Sequence, residues 1–122
     1  MRGMIVKLPW PPRDLWPNGR PHWATKARET ARHKAWARHA AMAAGIPPAA
    51  GTYRFTVEYR PPPRSRPDDD GVIGACKAYR DGIALAMGLD DGCFRMNAPV
   101  RGERSQHGEI IITVEPIEGE ML

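Results

Sequence analysis

Three aspartates stand in a row at Asp68, Asp69 and Asp70, and two more, Asp90 and Asp91, follow further along the chain. Adjacent carboxylates repel one another, so a cluster of this kind needs a compensating charge. A hard divalent cation is the natural one: magnesium takes oxygen ligands in an octahedron and keeps several waters. Pro67 biases Arg66 toward extended backbone, and in an extended segment residues two apart point the same way. Asp68 and Asp70 are therefore expected to face together, with Asp69 turned aside. The run 71–88 reads as a helix ending at Gly88. On a wheel of about 100° per residue, Val72, Cys76, Tyr79, Ile83 and Met87 fall on one apolar face. Asp70, Gly74, Lys77 and Asp81 form a stripe on the other. Plainer readings stand beside this one. An acid at a helix start caps it and favours its positive end. Asp-Asp-Gly makes a turn, and Lys77 with Asp81 is an ordinary pair four residues apart. A helix of about 16 residues spans roughly 24 Å. Asp90 and Asp91 can then join the first cluster only if the chain doubles back.

The elements that must position these acids are legible in part. MIVKLPW (4–10) reads as a strand stopped by Pro9, Pro11 and Pro12, since proline removes a ladder donor. The Pro- and Gly-rich 11–23 is a loop. The alanine-rich 25–45 reads as a helix with Thr25 as N-cap, and Gly45 and Pro47 as its stop. TYRFTVEYR (52–60) alternates, with Tyr53, Phe55, Val57 and Tyr59 on one side, as a half-buried strand does. PPPRSRP (61–67) is a stiff extended arm. FRMNAPVR (94–101) has weak strand character. EIIITVEPI (109–117), with three consecutive isoleucines, reads as a central strand buried on both faces. The sum is α+β: a single small domain spanning 1–122, a mixed β-sheet with flanking helices.

The chain has 122 residues, a net charge of +4 and a pI near 9.4. The charge is uneven. Arg2, Lys7, Arg13, Arg20, Lys26, Arg28, Arg32, Lys34 and Arg38 crowd the first forty residues against only Asp14 and Glu29. Such a basic half beside an acidic cluster fits a polyanion binder with a separate cation site. The candidates for DNA phosphate contact are Arg13, Arg20, Lys26, Arg28, Arg32, Lys34 and Arg38, with Arg64 and Arg66 beside the acids. Trp10, Trp16 and Trp23 invite base stacking, although tryptophan in a Pro-rich segment commonly packs inward instead. His22, His33, His39 and His107 read as surface residues or phosphate contacts, and no Cys/His spacing suggests zinc. No apolar run is long enough to span a bilayer, so no membrane is expected. The N-terminus has no signal-peptide core, and Cys76 and Cys93 fit reduced thiols of a cytoplasmic protein.

LPWPP at 8–12, the basic arm, the Asp68-x-Asp70 pair opening a helix, Lys77 with Asp81, and Leu89-Asp90-Asp91 occur here in one order. Together they resemble the RusA-type Holliday-junction resolvases. The resemblance implies a homodimeric, RusA-like α+β fold and a magnesium-dependent endonuclease, with manganese as a substitute, that cuts four-way DNA junctions. Carried over by position, Asp68, Asp70 and Asp91 are the metal-binding and catalytic acids and Lys77 the catalytic lysine. Asp69, Asp81 and Asp90 would stand behind them. Two positions depart from the pattern. Many members have asparagine where this chain has Gly71, and some place the lysine where this chain has Gly74. The implied reaction is phosphodiester hydrolysis by a metal-activated water. Paired cuts on a two-fold symmetric junction call for two active sites, which a symmetric dimer supplies. The residues leave two alternatives open: a DNA-binding protein without catalysis, and a nuclease of flaps or forks.

Overall fold

The computed structural model describes residues 3–17, 22–45 and 51–117. Among them the chain runs β1 (Met4–Pro9), α1 (Trp23–Ala44), β2 (Tyr53–Arg60), α2 (Asp69–Ala75), α3 (Lys77–Met87), β3 (Phe94–Met96), β4 (Val100–Arg101) and β5 (Glu109–Pro116). Short 3₁₀ turns occupy Arg13–Leu15 and Asp91–Cys93. The sheet order is β1-β5-β2-β3, with β4 also pairing to β2. β5 runs antiparallel to both β1 and β2, whereas β3 and β4 run parallel to β2. This is the expected α+β fold with a mixed sheet, and β5 is central as its isoleucines required. Ile110 and Ile112 join the core, and Ile111, on the opposite face, is also buried.

Alternation decides which face is covered. Met4, Val6 and Leu8 of β1, and Tyr53, Phe55, Val57 and Tyr59 of β2, bury against Ala37 and Ala41 of α1 and Tyr79 and Ile83 of α3. The other face of β2 is polar. Arg54 donates to Asn97 at 3.2 Å, Asn97 donates to Thr56 at 2.7 Å, and Arg60 pairs with Glu58 at 2.8 Å.

Three expectations change. The first helix begins at Trp23 rather than Thr25, and His22 is its N-cap, accepting from the Ala24 amide through Nδ1 at 3.2 Å. Pro47, expected to help end it, lies outside the described residues. The helix expected over 71–88 is two helices meeting at Cys76 (φ −93°, ψ 5°). Gly71 and Gly74 give α2 little helical propensity of its own. The Cys76 amide still bonds back to Val72, and its carbonyl accepts from Arg80, so the joint is a kink and the chain does not double back. The arm at 61–67 contains a turn: the Ser65 amide donates to the Pro62 carbonyl at 3.2 Å, with Arg64 at φ +72°. Arg104 pins that turn by donating to the carbonyls of Pro62 (2.9 Å) and Ser65 (2.8 Å).

α1 and α3 approach closely because small residues meet at their crossing. A side chain on Gly82 would strike the Lys34 carbonyl oxygen and sit 3.1 Å from the Ala37 Cβ. Beside this crossing His33 is buried, not on the surface as the sequence reading had it. No helix among the described residues is long and apolar enough to cross a membrane.

Candidate functional site

α2 starts where the arm ends, and Asp68 is its N-cap. Asp68 is extended (φ −92°, ψ 167°), and its Oδ1 accepts from the Gly71 amide at 2.7 Å. This is the plain capping role. It uses one carboxylate oxygen and leaves the other without a hydrogen bond among the described residues. Asp69 turns aside, as expected, and accepts at 3.2 Å from the Tyr59 hydroxyl at the end of β2. Burial first, then that bond and the Asp69 charge, raise the Tyr59 pKa above its ordinary 10.0. The hydroxyl therefore stays a donor. Asp70 is exposed and has no hydrogen bond or ion pair among the described residues. Asp68 and Asp70 line one cavity of about 320 Å³, walled by Trp16, Pro17, Arg66 and Gly71. The two outer acids of the triplet thus face a common space.

Gly74, Lys77 and Asp81 line the next cavity, about 420 Å³, which α1 completes with Lys26 and Thr30. The stripe drawn on the helical wheel survives the kink from Gly74 onward. Pro17 walls both cavities and packs so closely on α2 that a Cβ on Gly74 would lie 2.8 Å from its Cγ. Lys77 and Asp70 therefore stand on either side of Pro17 rather than in one pocket. A third cavity, about 290 Å³, follows beyond Asp81, with Lys34, Asp90 and Asp91 on its walls. On the opposite side, a groove of about 450 Å³ shares Trp16, Arg66 and Pro67 with the Asp68–Asp70 cavity. The four spaces form a track in series, divided at Pro17: the groove lies before α2, and the other three follow α2 and α3, each sharing a wall residue with the next.

Asp90 and Asp91 stay at the far end of that track. Asp90 caps the turn at Asp91–Cys93, accepting from the Gly92 amide at 3.2 Å. Asp91 is paired with Arg80 at 3.2 Å, and Arg80 also reaches Asp81 at 3.8 Å. Among the described residues no three His, Cys, Asp or Glu side chains are grouped to hold one metal ion. Asp68, Asp70 and Asp91 are thus not brought together within one chain. What the chain offers a cation is the Asp68–Asp70 pair, and magnesium binds through as few as one or two carboxylates when waters and phosphate complete its shell.

The basic residues divide. Lys26 and Lys34 line the track, as do Arg13 and Arg66. Arg28 and Arg38 are exposed on α1. Arg32 pairs with Glu29 at 3.5 Å and lies over the Trp36 ring at 4.7 Å, which commits it elsewhere. Arg64 sits in the turn before the acids, and Arg20 lies outside the described residues. Of the tryptophans, Trp10 and Trp16 are half-buried against the core, and Trp23 is exposed. Cys76 is buried and its thiol is pushed up to about 12 by that burial, so it is no nucleophile at neutral pH. Sequence reasoning missed Arg80, the counter-charge of Asp91, and Pro17, the divider of the track. Arg80 flanks the polar stripe on the helical wheel, so its pairing with an acid beyond the helix end was open to inference. Nothing in the sequence marks Pro17, because its contact is entirely tertiary.

The site belongs to a small α+β domain with a basic helix laid beside an acid-opened one. No protein-family model matches the chain. Over 116 residues it is 36% identical to an "Uncharacterized protein" of Xylella fastidiosa (strain Temecula1 / ATCC 700964), an alignment covering 92% of this chain and 76% of the relative. The chain belongs to the family of that protein.

Proposed function

We propose that the protein is a magnesium-dependent, structure-selective endonuclease of branched DNA, acting as a symmetric dimer on four-way junctions. One observation carries the reading: successive cavities along α2 and α3 are lined by the Asp68–Asp70 pair, by Lys77 with Lys26 of α1, and by Lys34 of α1. Asp68 and Asp70 would hold the ion, which supplies charge neutralisation at the scissile phosphate and an acidified water. Asp70 makes no hydrogen bond or ion pair among the described residues, so ligation there displaces none of these contacts. Asp68 contributes the oxygen its cap leaves over. Arg66 binds a phosphate oxygen at the cavity wall, and Lys77 engages the backbone on the far side of Pro17, with Lys26 opposite it. Contacts of this kind position a strand and carry no base information, which suits a reader of branched shape. Asp91 can serve the same ion only if it comes from a second copy of the chain.

A second reading, a DNA-binding protein without catalysis, is favoured by the capping of Asp68 and Asp90 and the Arg80 pair of Asp91. A labelled mobile four-way junction incubated with Mg²⁺, Mn²⁺, Ca²⁺ or EDTA separates the two. Symmetric nicks with Mg²⁺ or Mn²⁺ that disappear in Asp70→Asn, with junction binding retained, support the nuclease. Binding without cutting under every metal supports the second reading, and equal cutting of flaps and junctions broadens the substrate.

A further inference from the structure

The groove beyond Arg66 has a chemistry different from the rest of the track. Its floor is Trp10, Pro11, Trp16 and Pro67, and its polar groups are Arg13, Arg66 and Ser65, with no carboxylate on its walls among the described residues. The two indoles lie with ring centroids 5.3 Å apart and planes tilted by 32°. Both are fixed from behind. Trp16 Nε1 donates to the Pro11 carbonyl at 3.1 Å. Gly108, at φ +77°, lets the chain pass so close that a Cβ there would lie 2.8 Å from Trp10. The opposite wall is held by the Arg104-pinned turn that leads into Ser65 and Arg66. An apolar aromatic floor rimmed by two guanidiniums suits a ligand that is flat, apolar on its face and anionic at its edge. A volume of about 450 Å³ falls within the range of small-ligand pockets.

We propose that this groove receives the base of a nucleotide that has left the DNA stack, directly beside the phosphate bound at Asp68 and Asp70. The proposal rests on the nuclease reading for its neighbour, and supplies what that reading lacks: a reason for the protein to prefer branch points. A base at a junction or a single-stranded end is already partly unstacked, so extruding it there costs less than in a continuous duplex. Trp10 and Trp16 offer the π-surface, while Arg13 and Arg66 hold the phosphates on either side of the sugar. Trp16 and Arg66 wall both spaces, so base and scissile phosphate would sit next to each other.

The test needs no cleavage. The full chain, in EDTA, is titrated into a 5′-labelled single strand of eight thymidines and into a strand of equal length in which abasic sites replace the bases. The phosphate charge is identical, so only stacking separates them. Anisotropy should show the thymidine strand bound about tenfold more tightly, as expected for one base on an aromatic surface. Trp16→Leu should lower that ratio severalfold toward one, with its melting temperature confirming the fold. Arg66→Gln should weaken both strands equally and flatten their salt dependence. Equal affinity of the wild type for the two strands overturns the proposal, and this comparison needs no variant to fold. A preference that survives Trp16→Leu undiminished overturns it too. Base-dependent binding in a protein that cuts nothing in magnesium would sink the nuclease reading alone, and cutting without base dependence would sink only the groove.

Discussion

The chain carries two acidic turns of the same local design that differ in their charge environment. In each, a leading aspartate caps a nearby glycine amide: Asp68 to Gly71 at 2.7 Å, Asp90 to Gly92 at 3.2 Å. In each, aspartates follow that the cap does not use: Asp69, which accepts from Tyr59, and Asp70 at the first turn, and Asp91 at the second. At the first turn the last of these, Asp70, has no ion pair among the described residues and shares its cavity with Asp68 and Arg66. At the second it is Asp91, already neutralised by Arg80. The same sequence device thus yields two carboxylates facing one cavity at one end of the α2–α3 pair and an ion pair with Arg80 at the other. Acid content alone says little about metal binding; what the fold places opposite each acid decides.

The largest effect should come from comparing Asp70 and Asp91 directly. Under the proposed function, Asp70→Asn removes a ligand with no substitute, and junction cleavage in magnesium should fall by on the order of a thousandfold. Asp91→Asn breaks an exposed pair with Arg80 and should cost tenfold or less. Single-turnover rates on one labelled junction measure both. Equal losses would mean that the two turns meet across a dimer in the working enzyme, and the distinction between them would vanish.

The turns stay apart because α3 is held as a rod against α1. Gly82 makes that possible, since its missing side chain admits the Lys34 carbonyl. A backbone oxygen cannot rotate out of the way, so Gly82→Ala should lose about 2–3 kcal/mol despite its better helix propensity. Urea unfolding of the variant would show it as a lower midpoint at unchanged slope. A neutral result would mean that the helices separate easily and that the second turn is not anchored.

The same seam holds a pH-sensitive contact. Tyr79 spends its proton on the Pro9 carbonyl at 2.7 Å, so His33 Nδ1, 3.0 Å away, must donate to the Tyr79 oxygen. His33 Nε2 then faces Glu29 at 3.4 Å. Burial holds the imidazole below its ordinary pKa of 6.5; Glu29 raises it in part and Arg32 lowers it further. The unfolded chain takes up this proton more readily than the folded one. Stability should therefore be full above about pH 6.5 and decline as the pH falls through and below that value. Each unit of displacement is worth about 1.4 kcal/mol. His33→Gln should start less stable and lose this part of the slope, read from melting temperatures between pH 5 and 8. An unchanged slope would place the acid sensitivity in the carboxylates instead.

Periodicity carried most of the fold. Tyr53 to Tyr59 alternated and did bury on one face, and the isoleucines of β5 located the central strand. The kink at Cys76 was not legible, because glycine-weakened helices break where tertiary contacts such as Pro17 on Gly74 press on them. His33 misled because a histidine among arginines looks solvated; its partner Tyr79 lies 46 positions away in sequence. Of the candidate site, the shared orientation of Asp68 and Asp70 was expected from an extended backbone, but α2 already begins at Asp69, so the two acids reach one cavity as the N-cap and first turn of a helix instead. The separation of Asp91 could be stated only as a condition on chain reversal, which the structure does not meet. The counter-charge from Arg80 and the dividing position of Pro17 are products of packing that local spacing does not encode.

The smallest effect tests whether the two glycines do one job. A Cβ on Gly71 would lie 2.7 Å from Asp68 Oδ1, and one on Gly92 would lie 2.8 Å from Asp90 Oδ2. Either alanine substitution pushes the capping carboxylate off its amide and forfeits about 1 kcal/mol. Gly71 lies inside α2, where alanine recovers about the same amount through helix propensity. Gly92 lies in a three-residue 3₁₀ turn, where alanine recovers much less. Gly71→Ala should therefore leave the melting temperature nearly unchanged, while Gly92→Ala lowers it by a few degrees. Displacing the cap also frees both Asp68 oxygens, so the magnesium-induced rise in melting temperature should be larger in Gly71→Ala than in the wild type. Gly92→Ala should leave that rise as it is, because it disturbs the Asp90 cap and not the Asp68–Asp70 pair. If Gly71→Ala instead abolishes the magnesium response, then the capped geometry of Asp68 is itself the metal-binding one.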